Sequence, residues 1–211
     1  MLRITEIFYS LQGETSRMGL PTVFIRLTGC PLRCTYCDTA YAFSGGSKFS
    51  LAEIMQQVVR YGTPYVTVTG GEPLAQPGCL DLLAALVHAG YQVSLETSGA
   101  MDIAAVDLRV VKVMDLKTPS SGEMPRNLYS NLDYLTKQDE IKFVIGDDVD
   151  YAWAKDQVIQ HRLPERCGVL FSPVMDRMPA KTLAEHILAD QLPVRFQIQL
   201  HKYLWHDARG K

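Results

Sequence analysis

The chain has 211 residues, of which 47% are hydrophobic and 21% are charged. These values are typical of a globular protein with a substantial core, and they favour neither a disordered chain nor a membrane protein. The formal net charge of −2 gives no positive field that would drive non-specific nucleic-acid binding. Composition therefore predicts one globular domain, residues 1–211, without direct contact with nucleic acid or membrane.

The compartment is predicted from the N-terminus and the cysteines. The first residues carry the charges of Arg3 and Glu6 and contain no long apolar run, so they do not resemble a signal peptide or a membrane span. The five cysteines are an odd number, and three of them are clustered. This pattern fits a reducing compartment better than a disulfide framework, and we therefore expect a cytoplasmic protein.

Predicted strands and helices alternate along the chain. Residues 4–8 and 23–27 have the apolar pattern of strands, and residues 11–15 form a predicted polar turn. A capping box of Ser50 and Glu53 begins a helix that is expected to end near Tyr61. Further strands are predicted at residues 65–69, 92–96, 110–115, 140–145, 167–172 and 195–200, and further helices at 78–88, 147–161 and 180–190.

Strands that alternate with helices predict a parallel sheet with helices packed outside it. Six strand–helix steps are too few for a closed eight-stranded barrel, whose usual length is about 250 residues. We therefore predict an α/β fold, an incomplete TIM-like barrel with about six parallel strands and outer helices. The ligand site is expected at the C-terminal ends of the strands, where polar clusters follow the apolar runs.

Three of the cysteines, Cys30, Cys34 and Cys37, lie within eight residues at the spacing C-x3-C-x2-C. One loop can place three thiolates around one inorganic centre. A structural zinc site and a 4Fe–4S cluster each normally take four protein ligands. Three thiolates therefore predict a 4Fe–4S cluster with one iron open to a small molecule. The alternatives are a zinc knuckle completed by a distant ligand and three ordinary buried thiols.

Other polar groups follow the predicted strands. Gln12 and Glu14 form an amide and carboxylate pair that can recognise the edge of a nitrogen heterocycle, although a plain surface loop is the alternative. Arg26 can bind a carboxylate through two hydrogen bonds or form a salt bridge at a sheet edge. Asp115 and Lys117 close another strand, where alternation places both charges on the same face.

Two motifs together resemble the radical S-adenosylmethionine (SAM) superfamily. They are the cysteine loop, with Tyr36 before its last cysteine, and the sequence Gly-Gly-Glu-Pro at residues 70–73. Within the superfamily the chain is similar, nearly from end to end, to the 7-carboxy-7-deazaguanine synthase family. The segments that carry this similarity are residues 11–14, 28–31, 37–39, 96–99, 115–117 and 201–204.

The resemblance implies a lyase that contracts a ring by radical chemistry. One electron from the cluster would cleave SAM to methionine and a 5′-deoxyadenosyl radical, which would take a hydrogen atom from carbon 6 of 6-carboxy-5,6,7,8-tetrahydropterin. Ring contraction and loss of ammonia would give 7-carboxy-7-deazaguanine for queuosine, a modified tRNA nucleoside. The resemblance also implies regeneration of SAM, Mg²⁺, a flavodoxin-like electron donor and a homodimer.

The resemblance assigns residues to these ligands. It gives the irons to Cys30, Cys34 and Cys37, and Mg²⁺ to the hydroxyl of Thr39, whose alternative role is to cap a backbone group. The SAM-binding residues would be Tyr36, Asp38, Gly71, Glu72, Glu96, Asp115, Lys117 and Ser172. The pterin-binding residues would be Leu11, Gln12, Gly13, Glu14, Arg26 and Thr69.

Two features depart from the family pattern. The sequence 115–117 is Asp-Leu-Lys where some relatives have Ser-Pro-Lys, and residues 205–211 continue beyond the point at which shorter relatives end. His201 and Lys202 are the candidate substrate contacts near that end. Two competing functions share some of these motifs: a radical SAM activase that makes a glycyl radical on a partner protein, and a metal-stabilised interaction module that is not an enzyme.

Overall fold

The computed structural model describes residues 1–206 and 208–211. The strands are β1 Leu2–Leu11, β2 Pro21–Leu27, β3 Ser47–Phe49, β4 Tyr65–Gly70, β5 Gln92–Thr97, β6 Val111–Asp115, β7 Glu140–Ile145, β8 Gly168–Pro173 and β9 Arg195–Phe196. The α-helices are α1 Leu51–Val58, α2 Cys79–His88, α3 Asp148–Gln160, α4 Leu163–Arg166, α5 Ala180–Ala189 and α6 Leu200–Trp205. None of the helices in the described part of the chain has the length and apolar character needed to cross a bilayer.

One mixed sheet contains all of these strands, in the order β3-β1-β2-β4-β5-β6-β7-β8-β9. Six neighbouring strands of this sheet are parallel, as predicted, and they are β2, β4, β5, β6, β7 and β8. β9 adds a short parallel strand at one edge, and β1 and β3 add an antiparallel pair at the other. Because β3 and β9 lie at opposite edges, the sheet is an incomplete barrel, which confirms the predicted fold class.

Alternation along the parallel strands separates an apolar face from a polar face. Ile25, Val68, Leu95, Met114 and Phe143 are all fully buried in one hydrophobic core with residues of α1, α2, α3 and α5. The residues next to them in sequence point to the other face of the sheet. The polar residues collected on that face by β2, β4, β5, β6 and β7 are Arg26, Thr69, Glu96, Asp115 and Lys142.

The predicted helix ends are set by local hydrogen bonds. Ser50 accepts a hydrogen bond from the backbone of Glu53, whose side chain accepts one from the backbone of Ser50, so the predicted capping box is present. The helical segment ends before Gly62, which has a left-handed backbone with φ of 64°. Asp147 caps α3 by accepting from the backbone of Asp150.

The predicted strand at residues 195–200 is wrong beyond Phe196. The side chain of Gln197 turns inward and makes two hydrogen bonds of 2.8 Å with the backbone of Thr15. The strand therefore ends, and α6 begins at Leu200. The prediction assumed that the polar residues of 195–200 lie on a solvent-exposed face of a strand. Gln197 is polar but buried, so this assumption does not hold.

A buried ion pair fixes the start of β6 against the residues that precede β7. Lys112 Nζ lies 3.0 Å from Asp139 Oδ2, and the two side chains are 1% and 0% exposed. Asp139 also accepts hydrogen bonds from the backbone of Lys112 and Thr136. The two opposite charges lie side by side, which offsets part of the large cost of removing them from water, although Lys112 Nζ has no well-aligned hydrogen bond among the described residues.

We predict that Lys112→Met lowers the free energy of unfolding by about 3–5 kcal/mol, because the Asp139 carboxylate would stay buried without its cation. Urea unfolding followed by circular dichroism measures the loss. The matched control is Lys155→Met, which breaks the more exposed pair with Asp190 and is expected to cost about 0–1 kcal/mol. Equal losses in the two variants would contradict the assigned role of the buried pair.

Candidate active site

A cavity of about 230 Å³ opens at the C-terminal ends of the parallel strands. All but two of the site residues predicted from the sequence line it. The predicted residues that line the cavity are Leu11, Gln12, Gly13, Glu14, Arg26, Cys30, Cys34, Tyr36, Cys37, Asp38, Thr39, Thr69, Gly71, Glu96, Asp115 and Lys117. Glu72 and Ser172 are not part of the lining.

The three clustered cysteines are free thiols, half-buried in the wall of this cavity. Burial raises the pKa of the Cys30 and Cys34 thiols above the ordinary value. Within residues 1–206 and 208–211, no three His, Cys, Asp or Glu side chains converge on a single metal ion. Three thiols nevertheless share one wall of the cavity, and three thiolates can each bind one iron of a cluster.

The glycines at the end of β4 let the next loop pack against the start of the cysteine loop. A Cβ on Gly71 would clash with the carbonyl oxygen of Gly29 and would lie 2.6 Å from Cys30 Cβ. The backbone N–H of Glu72 donates to the same Gly29 oxygen at 2.8 Å. Gly71 therefore leaves a narrow backbone cradle beside Cys30 that any side chain would fill.

Glu72 faces away from the cavity. Its side chain is fully buried and accepts hydrogen bonds from the backbone of Ser98 at 2.7 Å and from the hydroxyl of Thr97 at 2.9 Å. The carboxylate also accepts from the backbone N–H of Leu74. In this geometry Glu72 joins the end of β4 to the end of β5, a position that differs from the direct cofactor contact predicted from the sequence.

Ser172 lies on β8 beside Val144, a residue of the cavity wall. Its side chain is 1% exposed, and its Oγ has no hydrogen-bond partner among the described residues. A buried hydroxyl without a partner is uncommon in a folded protein. It is therefore a candidate for a hydrogen bond with a group that enters the cavity.

A row of alternating charges crosses the cavity. We call it the charge row, and it consists of Lys117, Asp115, Lys142 and Glu14. Lys117 Nζ lies 2.6 Å from Asp115 Oδ2, and Lys142 Nζ lies 3.5 Å from Asp115 Oδ1 and 2.6 Å from Glu14 Oε2. Burial acts to raise the pKa of both carboxyls. The combined effect of Lys142, His201 and Gln199 lowers the pKa of Glu14, and that of Lys117 and Lys142 lowers the pKa of Asp115.

Glu96 belongs to the same polar network as two predicted pterin contacts. Its Oε1 accepts from the side-chain amide of Gln12 at 3.2 Å, and its Oε2 accepts from the hydroxyl of Thr69 at 2.9 Å. Burial raises the pKa of Glu96, and the nearby Glu14 carboxylate raises it further. The structure therefore places Glu96 beside the predicted substrate residues, although the sequence assigned it to the cofactor.

Arg26 forms a salt bridge, which is one of the two roles predicted for it. Its Nε lies 2.7 Å from Glu6 Oε1, so one edge of the guanidinium is held by a salt bridge. The same side chain lines the cavity. The hydroxyl of Tyr41 also donates to Glu6 at 2.7 Å, which fixes the carboxylate that holds Arg26.

Helix α6 closes one side of the cavity through polar contacts. The backbone N–H of Leu200 donates to the oxygen of Gly13 at 2.9 Å, and Gln199 Nε2 donates to Glu14 at 2.8 Å. Lys202 Nζ lies 3.1 Å from Asp38 Oδ2. None of the six residues of α6 is buried, so these contacts hold the helix with little help from apolar packing.

Asp38 links this helix to the predicted Mg²⁺ ligand. Burial acts to raise the pKa of Asp38, but the Lys202 ammonium and the Thr39 hydroxyl lower it to about 2. Thr39 Oγ1 donates to Asp38 Oδ1 at 2.8 Å. His201, Lys202 and Lys211 also line the cavity, and Asp207 of the same tail lies outside the described residues.

Sequence reasoning left part of the cavity wall unassigned, and this part includes two polar side chains that contact Glu14, those of Lys142 and Gln199. A signal for Lys142 was present, because it alternates with the buried Ile141 and Phe143 along a strand that was predicted correctly. Gln199 had no such signal, because the segment that carries it was predicted as a strand.

Comparison with known proteins shows which family the chain resembles. Residues 24–115 match the radical SAM superfamily. The chain is 45% identical to the 7-carboxy-7-deazaguanine synthase of Chlorobaculum tepidum, over 99% of this chain and 97% of that protein. It is 43% identical to the synthase of the same name from Koribacter versatilis, over 97% of each chain. The crystal structure of QueE from Escherichia coli has the same fold, with a TM-score of 0.77, 24% identity, and coverage of 95% of this chain and 94% of that one.

We predict that Gly13→Ala loosens α6. The added Cβ would clash with His201 Nδ1 and would lie 3.1 Å from the backbone N of His201, so the helix must move or lose its contacts. Hydrogen exchange of the α6 amides should accelerate by at least about fivefold, while the amides of the parallel strands keep their protection.

The matched control is Gly78→Ala, because a Cβ there meets only Leu2, at 3.4 Å. The control variant should leave exchange in α6 unchanged. Unchanged exchange in the Gly13 variant would show that the contact between Gly13 and His201 does not hold the helix.

Proposed function

The chain belongs to the 7-carboxy-7-deazaguanine synthase family of the radical SAM superfamily, and from this premise we propose its reaction. A single radical SAM domain, residues 1–211, converts 6-carboxy-5,6,7,8-tetrahydropterin to 7-carboxy-7-deazaguanine and releases ammonia, as a carbon–nitrogen lyase of queuosine biosynthesis. One observation carries this proposal: the three thiols and the residues suited to a nitrogen heterocycle line the same cavity.

The residues present fit the cluster and SAM that membership in the radical SAM family implies. Three free thiols face one cavity, a backbone cradle at Gly71 lies beside Cys30, and the buried hydroxyl of Ser172 has no partner among the described residues. When bound, the cluster and SAM supply a 5′-deoxyadenosyl radical that can abstract a hydrogen atom. Cys30, Cys34 and Cys37 would hold the cluster, and SAM would bind in the cavity beside them.

The residues on the cluster side of the cavity would hold SAM. Tyr36 presents its ring beside the cysteines, and its hydroxyl lies 3.4 Å from Thr118 Oγ1, which limits rotation of the side chain. Lys117 and Asp115 form a paired donor and acceptor that can bind polar groups of SAM without leaving a buried charge unpaired. The backbone at Gly71 offers groups that the methionine part of SAM can approach closely.

The residues at the other end of the cavity would hold the pterin. Glu14 and Glu96 offer carboxylate oxygens to ring N–H groups, and Gln12 has an amide that both donates and accepts. Arg26 would bind the substrate carboxylate through the edge of the guanidinium that Glu6 does not occupy. Thr69 would add a hydroxyl contact, while Leu11 and Gly13 would form the wall against which the ring packs.

We further propose that Mg²⁺ binds at Thr39. The hydroxyl lines the cavity next to Asp38, and with a substrate carboxylate and water it would complete the oxygen-rich shell that Mg²⁺ prefers. A flavodoxin-like electron donor and a homodimer remain expectations from the family resemblance.

The activase function is not favoured. The curated relatives that match nearly the whole chain are named synthases.

The reaction is tested by anaerobic turnover of the reconstituted protein with 6-carboxy-5,6,7,8-tetrahydropterin, SAM, Mg²⁺ and a reductant. The wild-type protein should hold about four irons per chain and form the deazaguanine product. Cys34→Ala should lose the cluster and all SAM cleavage, because one thiolate ligand is missing. The control is Cys79→Ala, which changes a buried thiol in the apolar core and should keep both. An intact cluster without product in the wild type would refute the proposed reaction.

The metal proposal predicts that Thr39→Ala raises the Mg²⁺ concentration for half-maximal turnover by about 10-fold or more, while the absorption spectrum of the cluster stays the same. The control is Thr63→Ala. The hydroxyl of Thr63 donates a hydrogen bond to the Pro21 carbonyl, so its removal should leave the Mg²⁺ response unchanged. If turnover of the Thr39 variant responds to Mg²⁺ as the wild type does, Thr39 is not a ligand.

A further inference from the structure

Lys142 stands at the centre of the charge row. Its Nζ lies 2.6 Å from Glu14 on the substrate side and 3.5 Å from Asp115 on the SAM side. We propose that Lys142 is a positioning residue that keeps Glu14 ionised for substrate binding and joins the two halves of the cavity. This inference rests on the proposed function, because it assumes that the pterin donates hydrogen bonds to Glu14.

The sheet fixes the position of Lys142. The residue is paired with Asp115 across β6 and β7 and with Leu170 across β7 and β8, so strands flank it on both sides. Its side chain is 13% exposed, and that of Glu14 is 12% exposed. A flexible surface lysine could leave its partner, whereas a lysine held in the middle of a parallel sheet keeps its ammonium between the two carboxylates.

The charges that face Lys142 leave the carboxylates in excess. The carboxylates that act on Lys142 are Glu14 after β1, Glu96 on β5 and Asp115 at the end of β6. Lys117 after β6, His201 on α6 and Arg26 on β2 act in turn on these carboxylates. Arg26 is already paired with Glu6. Lys142 is therefore the ammonium group that pairs with Glu14, and without it Glu14 keeps only the weaker influences of His201 and Gln199.

The titration of these groups supports this account. Burial acts to lower the pKa of Lys142, but Asp115, Glu14 and Glu96 outweigh it and hold the pKa well above the ordinary value. Lys142 is thus a permanent cation. The second-largest influence on the Glu14 pKa, after burial, is the lowering effect of this ammonium. Removal of the cation should raise the pKa of Glu14 and let a proton occupy the carboxyl.

A protonated Glu14 would lose acceptor capacity toward ring N–H groups. Pterin binding to a Lys142→Met variant should therefore require release of a proton and should strengthen as the pH rises. In the wild type Glu14 is already ionised, so its protonation should not limit binding near neutral pH. In a plot of pterin affinity against pH, the affinity should fall on the acid side, and we call this fall the acid limb. The acid limb should move to higher pH when Lys142 is lost.

The test is anaerobic calorimetric titration of the SAM-loaded protein, without reductant, with 6-carboxy-5,6,7,8-tetrahydropterin at several pH values. Relative to the wild type, the acid limb of Lys142→Met should move up by about one pH unit or more, with proton release on binding. Lys142→Arg keeps the cation and should restore the wild-type limb. Lys155→Met removes a distant lysine that pairs with Asp190 and should bind as the wild type does.

A second measurement covers the case in which Lys142→Met does not fold. Carbon-13 NMR of the glutamate carboxyls in the wild-type protein with an oxidised cluster, with Glu14→Gln for assignment, should show Glu14 titrating below the ordinary range for Glu. Titration at or above that range would overturn the inference, as would a binding profile in Lys142→Met identical to that of the wild type. Wild-type protein that does not bind the pterin at all would instead refute the proposed function.

Discussion

The pairing of buried charges is the constraint on which the cavity depends. A carboxylate taken out of water is costly unless a cation and hydrogen bonds replace its hydration. In the charge row each carboxylate has an ammonium within 2.6 Å, so the strand ends can present Asp115 and Glu14 to a ligand while both stay ionised. The chemistry proposed for the cavity needs such groups at both ends, and the alternation of a parallel sheet supplies them at fixed spacing.

Close backbone packing gives the cluster end of the cavity its shape. The space beside Cys30 exists because Gly71 has no side chain, and the turn that contains it is held by the buried carboxylate of Glu72. The other end is closed more loosely. Helix α6 has no buried residue and meets Gly13, Glu14 and Asp38 through polar contacts. This difference suits a site in which the cluster stays in place while the substrate must enter and the product must leave.

The sequence predicted which residues line the site better than it predicted which side chains contact each other. Cysteine spacing and strand-end motifs are local patterns, and all but two of the site residues predicted with their help line the cavity. The pair of Lys142 and Glu14 is 128 residues apart in the chain, so no local pattern shows that the two meet. Glu72 sits in a recognised motif, but the direction of its side chain depends on Ser98, which follows β5. The strand predicted at 195–200 failed for the same reason, because Gln197 bonds to Thr15 at a separation of 182 residues.

The central claim is that one cavity holds the cluster, SAM and the pterin, with Lys142 between the two ligands. A crystal structure of the anaerobic protein with cluster, SAM and 6-carboxy-5,6,7,8-tetrahydropterin tests it most directly. The account predicts pterin density against Gln12, Glu14 and Arg26, SAM against Tyr36 and Lys117, and Lys142 still in contact with Glu14 and Asp115. Pterin bound outside this cavity, or Lys142 turned away from both carboxylates, would contradict it.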